Sequence, residues 1–219
     1  YGAMGAVDET QNDGAGVHSA DNNIAIGENA LTGGALGGGN VDDGTTRRLD
    51  YNIAIGSNTL NSTGQNASEG QIAIGYNALT ALTSGAGNTA VGYSALTTNV
   101  DGGYNTAVGY EALYTFEADA SNHGNNTAVG YRGRKFISTG TDNTFIGDLA
   151  GQGLTGGDVL TGDNNTAIGK SAGLLLQSGA SSNTLVGVSA GDVITTGVEN
   201  ICIGRATDPS GATGTQQIV

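Results

Sequence analysis

Proline, cysteine and methionine each occur once in this 219-residue chain, and tryptophan is absent. The single cysteine, Cys202, excludes an intrachain disulfide and leaves the redox compartment open. With almost no proline, and glycine lacking a strict three-residue period, a collagen triple helix is excluded as well. Positive charge is scarce: 7 Lys plus Arg stand against 20 Asp plus Glu, for a formal charge of −13. Such a field repels phosphate backbones and anionic lipid, which argues against nucleic acid as a partner. The longest purely aliphatic run is Leu174-Leu175-Leu176. A membrane span needs roughly 20 apolar residues, so no membrane insertion is expected. Leu, Ile, Val and Phe total 44 residues, a fifth of the chain, at the edge of the range in which an ordinary core can form. What the chain has in abundance is glycine, 40 residues of it. Either it is disordered, or its few apolar residues are placed very regularly.

They are placed regularly. One pattern recurs ten times: Asn, a β-branched residue, a small or apolar residue, Ile or Val, then Gly. Its glycines are Gly27, Gly56, Gly75, Gly92, Gly109, Gly130, Gly147, Gly169, Gly187 and Gly204. The interval from Gly75 to Gly92 is the basic unit, and insertions lengthen it elsewhere, most of all between Gly27 and Gly56. Four residues before the Gly stands Asn in nine copies and Gln71 in the other. Within each copy the β-branched residues lie two apart, as in Thr106 and Val108, which is strand periodicity. Strands this short cannot bury an apolar face alone, so the copies must stack. The pattern predicts an all-β fold, a parallel β-solenoid of about ten rungs about 4.8 Å apart, with Ile and Val lining its interior. The Gly suits a corner with positive φ or a close backbone approach. The Asn suits the opposite corner through its tolerance of left-handed backbone and the stacking of its amides.

The residue two before the Gly points the other way along the strand. It is Ala25, Ala54, Ala73, Ala90, Ala107 and Ala128, then Phe145, Ala167, Leu185 and Cys202, none of them polar. Two readings stay open: the row is the contact between copies of the chain, with the alanines as subunit interface, or it faces the second wall of its own rung. After the Gly, four successive copies carry Tyr76, Tyr93, Tyr110 and Tyr131, a column that either stiffens the stack or offers a platform for sugar rings. Five early copies place Leu31, Leu60, Leu79, Leu96 and Leu113 four residues after the Gly, and later copies replace them by Arg134, Gly151, Gly173, Gly191 and Asp208. A change of cross-section or packing is expected near residue 131.

The run Asn105-Thr106-Ala107-Val108-Gly109-Tyr110-Glu111-Ala112-Leu113, with its relatives 88–96 and 22–31, resembles the repeats of phage tail fibres and virion appendages. It is also similar to the head repeats of trimeric autotransporter adhesins. The resemblance covers roughly residues 22–205. It implies a left-handed β-roll in which three chains pack around a common axis, in an extracellular virion or cell-surface appendage that attaches to host glycan or protein. Residues 1–21 are then a cap or connector and 206–219 a C-terminal connector, whose last residues resemble the end of a fibre repeat zone. A chain that opens on Tyr1 with no leader pattern is expected to be processed or part of something longer. The alternatives are a cellular adhesin head or filament subunit and, less favoured, a polysaccharide-degrading spike.

Nothing in the chain assembles into catalytic chemistry. His18 and His123 are distant and sit in Gly/Asn/Ser-rich connections, and a zinc site lacks ligands at usable spacing. No enzyme activity and no cofactor are expected. Calcium is the nearest alternative, from the degenerate Gly/Asp run 156–163 and from Asp42-Asp43-Gly44, both of which turn chemistry also explains. Surface contacts are expected on insertions, the largest Thr32 to Asp50 with Arg47 and Arg48 and the second Tyr114 to Asn125; the basic cluster Arg132, Arg134 and Lys135 is a further candidate, balanced against solvated or intersubunit charge.

Overall fold

The computed structural model describes residues 18–19, 22–32, 47–62, 68–116, 124–135, 139–153 and 160–219. Among the described residues there are twelve short strands and no helix. β1 (His18–Ser19) pairs in parallel with β3 (Arg47–Arg48). β2 (Ile24–Ile26), β4 (Ile53–Ile55), β5 (Ile72–Ile74), β6 (Thr89–Val91), β7 (Thr106–Val108), β8 (Thr127–Val129), β9 (Thr144–Ile146), β10 (Thr166–Ile168), β11 (Thr184–Val186) and β12 (Ile201–Ile203) form one sheet. All ten are parallel and lie in chain order. Each copy of the repeat supplies one strand, and successive copies stack one coil upon the next. The fold is a parallel β-solenoid.

Register is kept position for position: Ala73 pairs with Ala90, Ala90 with Ala107 and Ala107 with Ala128, although the connecting segments differ in length. The motif glycines enforce it. All ten have φ between 128° and 141°, and a Cβ placed on Gly27 would lie 2.5 Å from the carbonyl oxygen of Gly56. A side chain there would separate the coils. Both reasons expected for the glycine, positive φ and close backbone approach, apply at once.

The asparagines form the second column, fully buried from Asn52 onward. Asn105 Oδ1 accepts the backbone N–H of Asn126 at 3.0 Å and its side-chain amide at 3.3 Å, and Asn126 Nδ2 also donates to Gly140 O at 2.9 Å. The same set recurs at Asn143, Asn165, Asn183 and Asn200. Every rung's amide thereby satisfies buried donors and acceptors of its neighbours. The left-handed corner lies one residue earlier than expected, at Tyr104, Asn125, Asp142 and Asn164 rather than at the motif asparagine.

The two faces of the strands are assigned opposite to expectation. Ala54, Ala73, Ala90, Ala107 and Ala128 are fully buried inside a single chain, and Ala25 packs against the same core. The row faces the second wall of its own rung, the second of the two readings, and the five fully buried alanines present no surface to another copy. Ile and Val of the strands, expected inside, point outward: Ile26 is 58% and Ile203 61% exposed. The reason is the thinness of the coil. The opposite wall supplies the bulk, with Leu31, Leu60, Leu79, Leu96 and Leu113 backed by Leu82, Phe116, Leu176 and Ile194, all buried, so a methyl group is all that fits across from them.

Placing those leucines costs backbone energy. Leu60, Leu79 and Leu96 have φ of 48–53°, a left-handed conformation that costs roughly 1–2 kcal/mol per residue. Full burial of a leucine returns about 1.5–3 kcal/mol, and each of their N–H groups donates to the next coil, as Leu79 does to Ala95 O at 3.0 Å. Burial therefore wins. In two of the three copies where glycine replaces the leucine, the strand residue of the same copy is larger; at Gly173, whose strand residue is Ala167, Leu176 and Leu185 fill the space. Leu185 Cδ2 lies 2.5 Å from where a Cβ of Gly191 would sit, and Phe145 occupies the corresponding space at Gly151. The change of packing expected near residue 131 is this exchange of volume between the two walls.

Residues 206–219, expected as a connector, continue the stack. Ile218 bridges Ile201 in parallel, Ile201 N–H donates to Gln217 O at 2.7 Å, and Gln217 N–H donates to Asn200 Oδ1 at 3.2 Å. Gln217-Ile218-Val219 matches the first three positions of a further copy, with glutamine in the asparagine position as at Gln71.

Candidate functional site

Two surface features and one buried group stand out on this scaffold. The first is the outward side of the ten-stranded sheet. Its two columns hold Ile or Thr at one position and Ile or Val at the other, none of them charged. Ile24, Ile26, Ile146, Ile168, Ile201 and Ile203 are all exposed. At about 4.8 Å per rung and two side chains wide, the stripe covers roughly 450 Å², with threonine hydroxyls from six rungs interspersed among its Ile and Val side chains.

The second feature borders the first. Because each follows a motif glycine in register, Tyr76, Tyr93, Tyr110 and Tyr131 stack with ring centroids 5.3, 5.1 and 5.4 Å apart and interplanar angles of 21°, 7° and 18°. Each ring remains 40–47% exposed along its edge. The faces are spent on one another, so the column stiffens the stack and offers solvent its edges and hydroxyls. Arg132 lies over the end of the column, its Cζ 5.1 Å from the Tyr131 centroid.

Beside the column, Glu111 draws in two of the expected contact residues. Arg132 Nε lies 2.9 Å and Lys135 Nζ 2.5 Å from Glu111 Oε2, and Lys135 also covers the Tyr114 ring at 5.1 Å. Burial works to raise the Glu111 pKa, but the hydrogen bond and charge of Lys135, joined by those of Arg132, outweigh it and hold the carboxyl below its usual range. The Tyr110 hydroxyl moves up, first through lost hydration and then through the Glu111 charge. Arg132 and Lys135 therefore meet solvent as members of an ion-pair cluster and not as free cations.

Arg134, expected on the surface with them, is fully buried, and this assignment is corrected. It takes the place of a leucine in the inner column, and that position faces inward whatever residue occupies it. Its side chain runs along the stack instead of across it. Cζ lies 5.3 Å from the centroid of the Phe145 ring, and Nη1 donates to Gly151 O and, at 3.0 Å, to Leu176 O. Burial pulls its pKa down to about 9, so at neutral pH it is still a cation.

Other expected positions carry less. Arg47 and Arg48 are placed as strand β3, but their side chains, together with His123, Asp42-Asp43-Gly44 and residues 154–159 of the calcium reading, lie outside the described residues. Asp163, at the end of that run, accepts from Thr141 N–H at 2.7 Å as part of a turn-to-turn contact. Among the described residues no group of three or more His, Cys, Asp or Glu is arranged to hold a metal, and no helix is long and apolar enough to cross a membrane. Cys202 is buried in the inner wall, and burial, followed by the Asp208 charge, pushes its thiol up. Comparison with family models, curated proteins and solved structures finds no match for this chain.

Proposed function

We propose that the chain is a non-enzymatic structural and adhesive fibre segment, of the tail-fibre or virion-appendage kind, that works outside the cell as a homotrimer and attaches to glycan or protein on a host surface. The observation that supports this reading best is the uncharged outward stripe, which runs the length of the sheet and repeats rung by rung. A second copy is the occupant that matches such a periodic row, since identical spacing lets the two interdigitate at every rung. The stripe supplies about half of the roughly 800 Å² per partner of a standard interface, and the bordering tyrosine column would contribute more. This replaces the alanine row as the contact between copies. Stacked rungs then provide stiffness, and loops repeated along three chains turn weak contacts into avidity.

Mass in solution tests the reading. The particle is expected to have three times the 21.6 kDa mass of the chain. Val91→Glu with Val108→Glu, which charges the stripe while leaving the inner wall intact, is expected to release monomer with unchanged strand content. A wild-type chain of single mass at micromolar concentration, or a trimer indifferent to both substitutions, would refute it. Release of oligosaccharide from host glycan would favour a polysaccharide-degrading spike instead.

A further inference from the structure

Arg134 poses a chemical problem that the repeat does not solve. A guanidinium carries five N–H donors and no acceptor. Here Nη1 finds the carbonyl oxygens of Gly151 and Leu176, while Nε and Nη2, both buried, have no hydrogen-bond partner. None of the ion pairs among the described residues involves it. A buried cation with neither counter-ion nor full hydrogen bonding is among the costliest arrangements a core can hold. Aliphatic leucine fills the equivalent position in five other copies at no such cost.

The two unsatisfied groups are not scattered. Nε and Nη2 form one edge of the guanidinium plane, the fork with which arginine takes an anion side-on. The opposite edge is anchored by carbonyls of two later coils, and the ring of Phe145 lies against the guanidinium, so the fork is held in one orientation. We propose that this edge of Arg134 binds a single small monoatomic anion of the chloride class, enclosed between successive coils. A water molecule would satisfy the N–H groups but leave the charge uncompensated. A halide answers both demands, and being spherical and without protons it asks for no further donor geometry. The anion would then neutralise the arginine whose Nη1 joins the coil of Gly130 to those of Gly147 and Gly169.

Bromide serves as the probe. When sodium bromide replaces sodium gluconate at constant sodium, the melting temperature of the full chain is expected to rise by about 5 °C over a hundredfold increase in bromide above its dissociation constant. Anomalous diffraction from bromide-soaked crystals should place one peak within hydrogen-bonding reach of Arg134 Nε and Nη2. Arg134→Leu restores the residue found at this position in other copies, so it should fold and lose both the bromide dependence and the peak. Equal melting in both salts overturns the proposal, as does a peak absent at the fork with water density in its place, or a bromide dependence that survives in Arg134→Leu.

Discussion

Asn126→Ala tests the amide column at its centre. The wild-type side chain donates to Gly140 O at 2.9 Å and to Asn105 Oδ1 at 3.3 Å, and its own Oδ1 accepts the backbone and side-chain N–H groups of Asn143, each at 3.1 Å. After truncation the Asn143 side-chain amide keeps Thr141 O and Gly162 O, and Asn105 Oδ1 keeps the N–H of residue 126. What is left bare is the Asn143 backbone N–H and the Gly140 carbonyl, both buried, at about 1–3 kcal/mol each. A loss of about 4 kcal/mol is expected, a fall of about 10 °C in melting temperature for a chain of this size. The companion variant Asn126→Asp separates geometry from charge. Protonated, the carboxyl can still donate to Gly140 O. Ionised, it faces that carbonyl and Asn105 Oδ1 in a buried site, so its folded pKa lies above its unfolded value. Stability linked to that proton is present at acid pH and lost as pH rises, so the gap between Asn126→Asp and wild type should narrow from pH 8 to pH 4, while that of Asn126→Ala stays constant. Thermal and urea melts across this range decide the matter. An Asn126→Ala loss no larger than that of an ordinary surface substitution, or an Asn126→Asp gap that widens on acidification, would refute the reasoning.

The volume exchange between the walls makes a second prediction. Leu185→Ala alone should cost about 2–5 kcal/mol, and Gly191→Leu alone should overpack, because its Cβ meets Leu185. The double variant rebuilds the Ala/Leu pair of earlier copies and should recover most of the loss in urea midpoint, whereas additive losses would deny that the two positions share one space. A third concerns Glu111, whose carboxyl is held low once the chain is folded. Its contribution is present above the ordinary carboxylate range and lost as pH falls through the folded value. Glu111→Gln should therefore show a smaller drop in melting temperature between pH 7 and pH 3 than wild type, and equal drops would show that the cluster with Lys135 and Arg132 contributes nothing.

The ten strands, their parallel stacking, the glycine column and the amide ladder were all legible, because each follows from one residue type recurring at one offset. Which strand face is inside was not. Alternation separates two faces but does not rank them; hydrophobicity alone favours the Ile/Val face as core, whereas in so thin a coil only the smaller face fits. A signal was nevertheless present: Phe145 occurs with Gly151 and Leu185 with Gly191, a compensation in size that makes sense only if both positions fill one interior. Arg134 was legible by the same register, since it occupies a leucine position, but its charge suggested solvent. Gln217 was missed because the search was anchored on the motif glycine and only the first three positions of this copy lie within the 219 residues, although Gln71 already showed that glutamine can stand for asparagine.

Successive strands stay in register whether the chain between them is as short as that from Ala90 to Ala107 or as long as that from Ala25 to Ala54. The length of the sheet is thus counted in copies of the repeat and is indifferent to how much chain lies between them. A gene of this design can gain or lose whole copies by unequal recombination and still encode a continuous spine, and it can lengthen one connection without shifting the register of the strands on either side. Extent of the sheet and length of its connections become separately heritable traits.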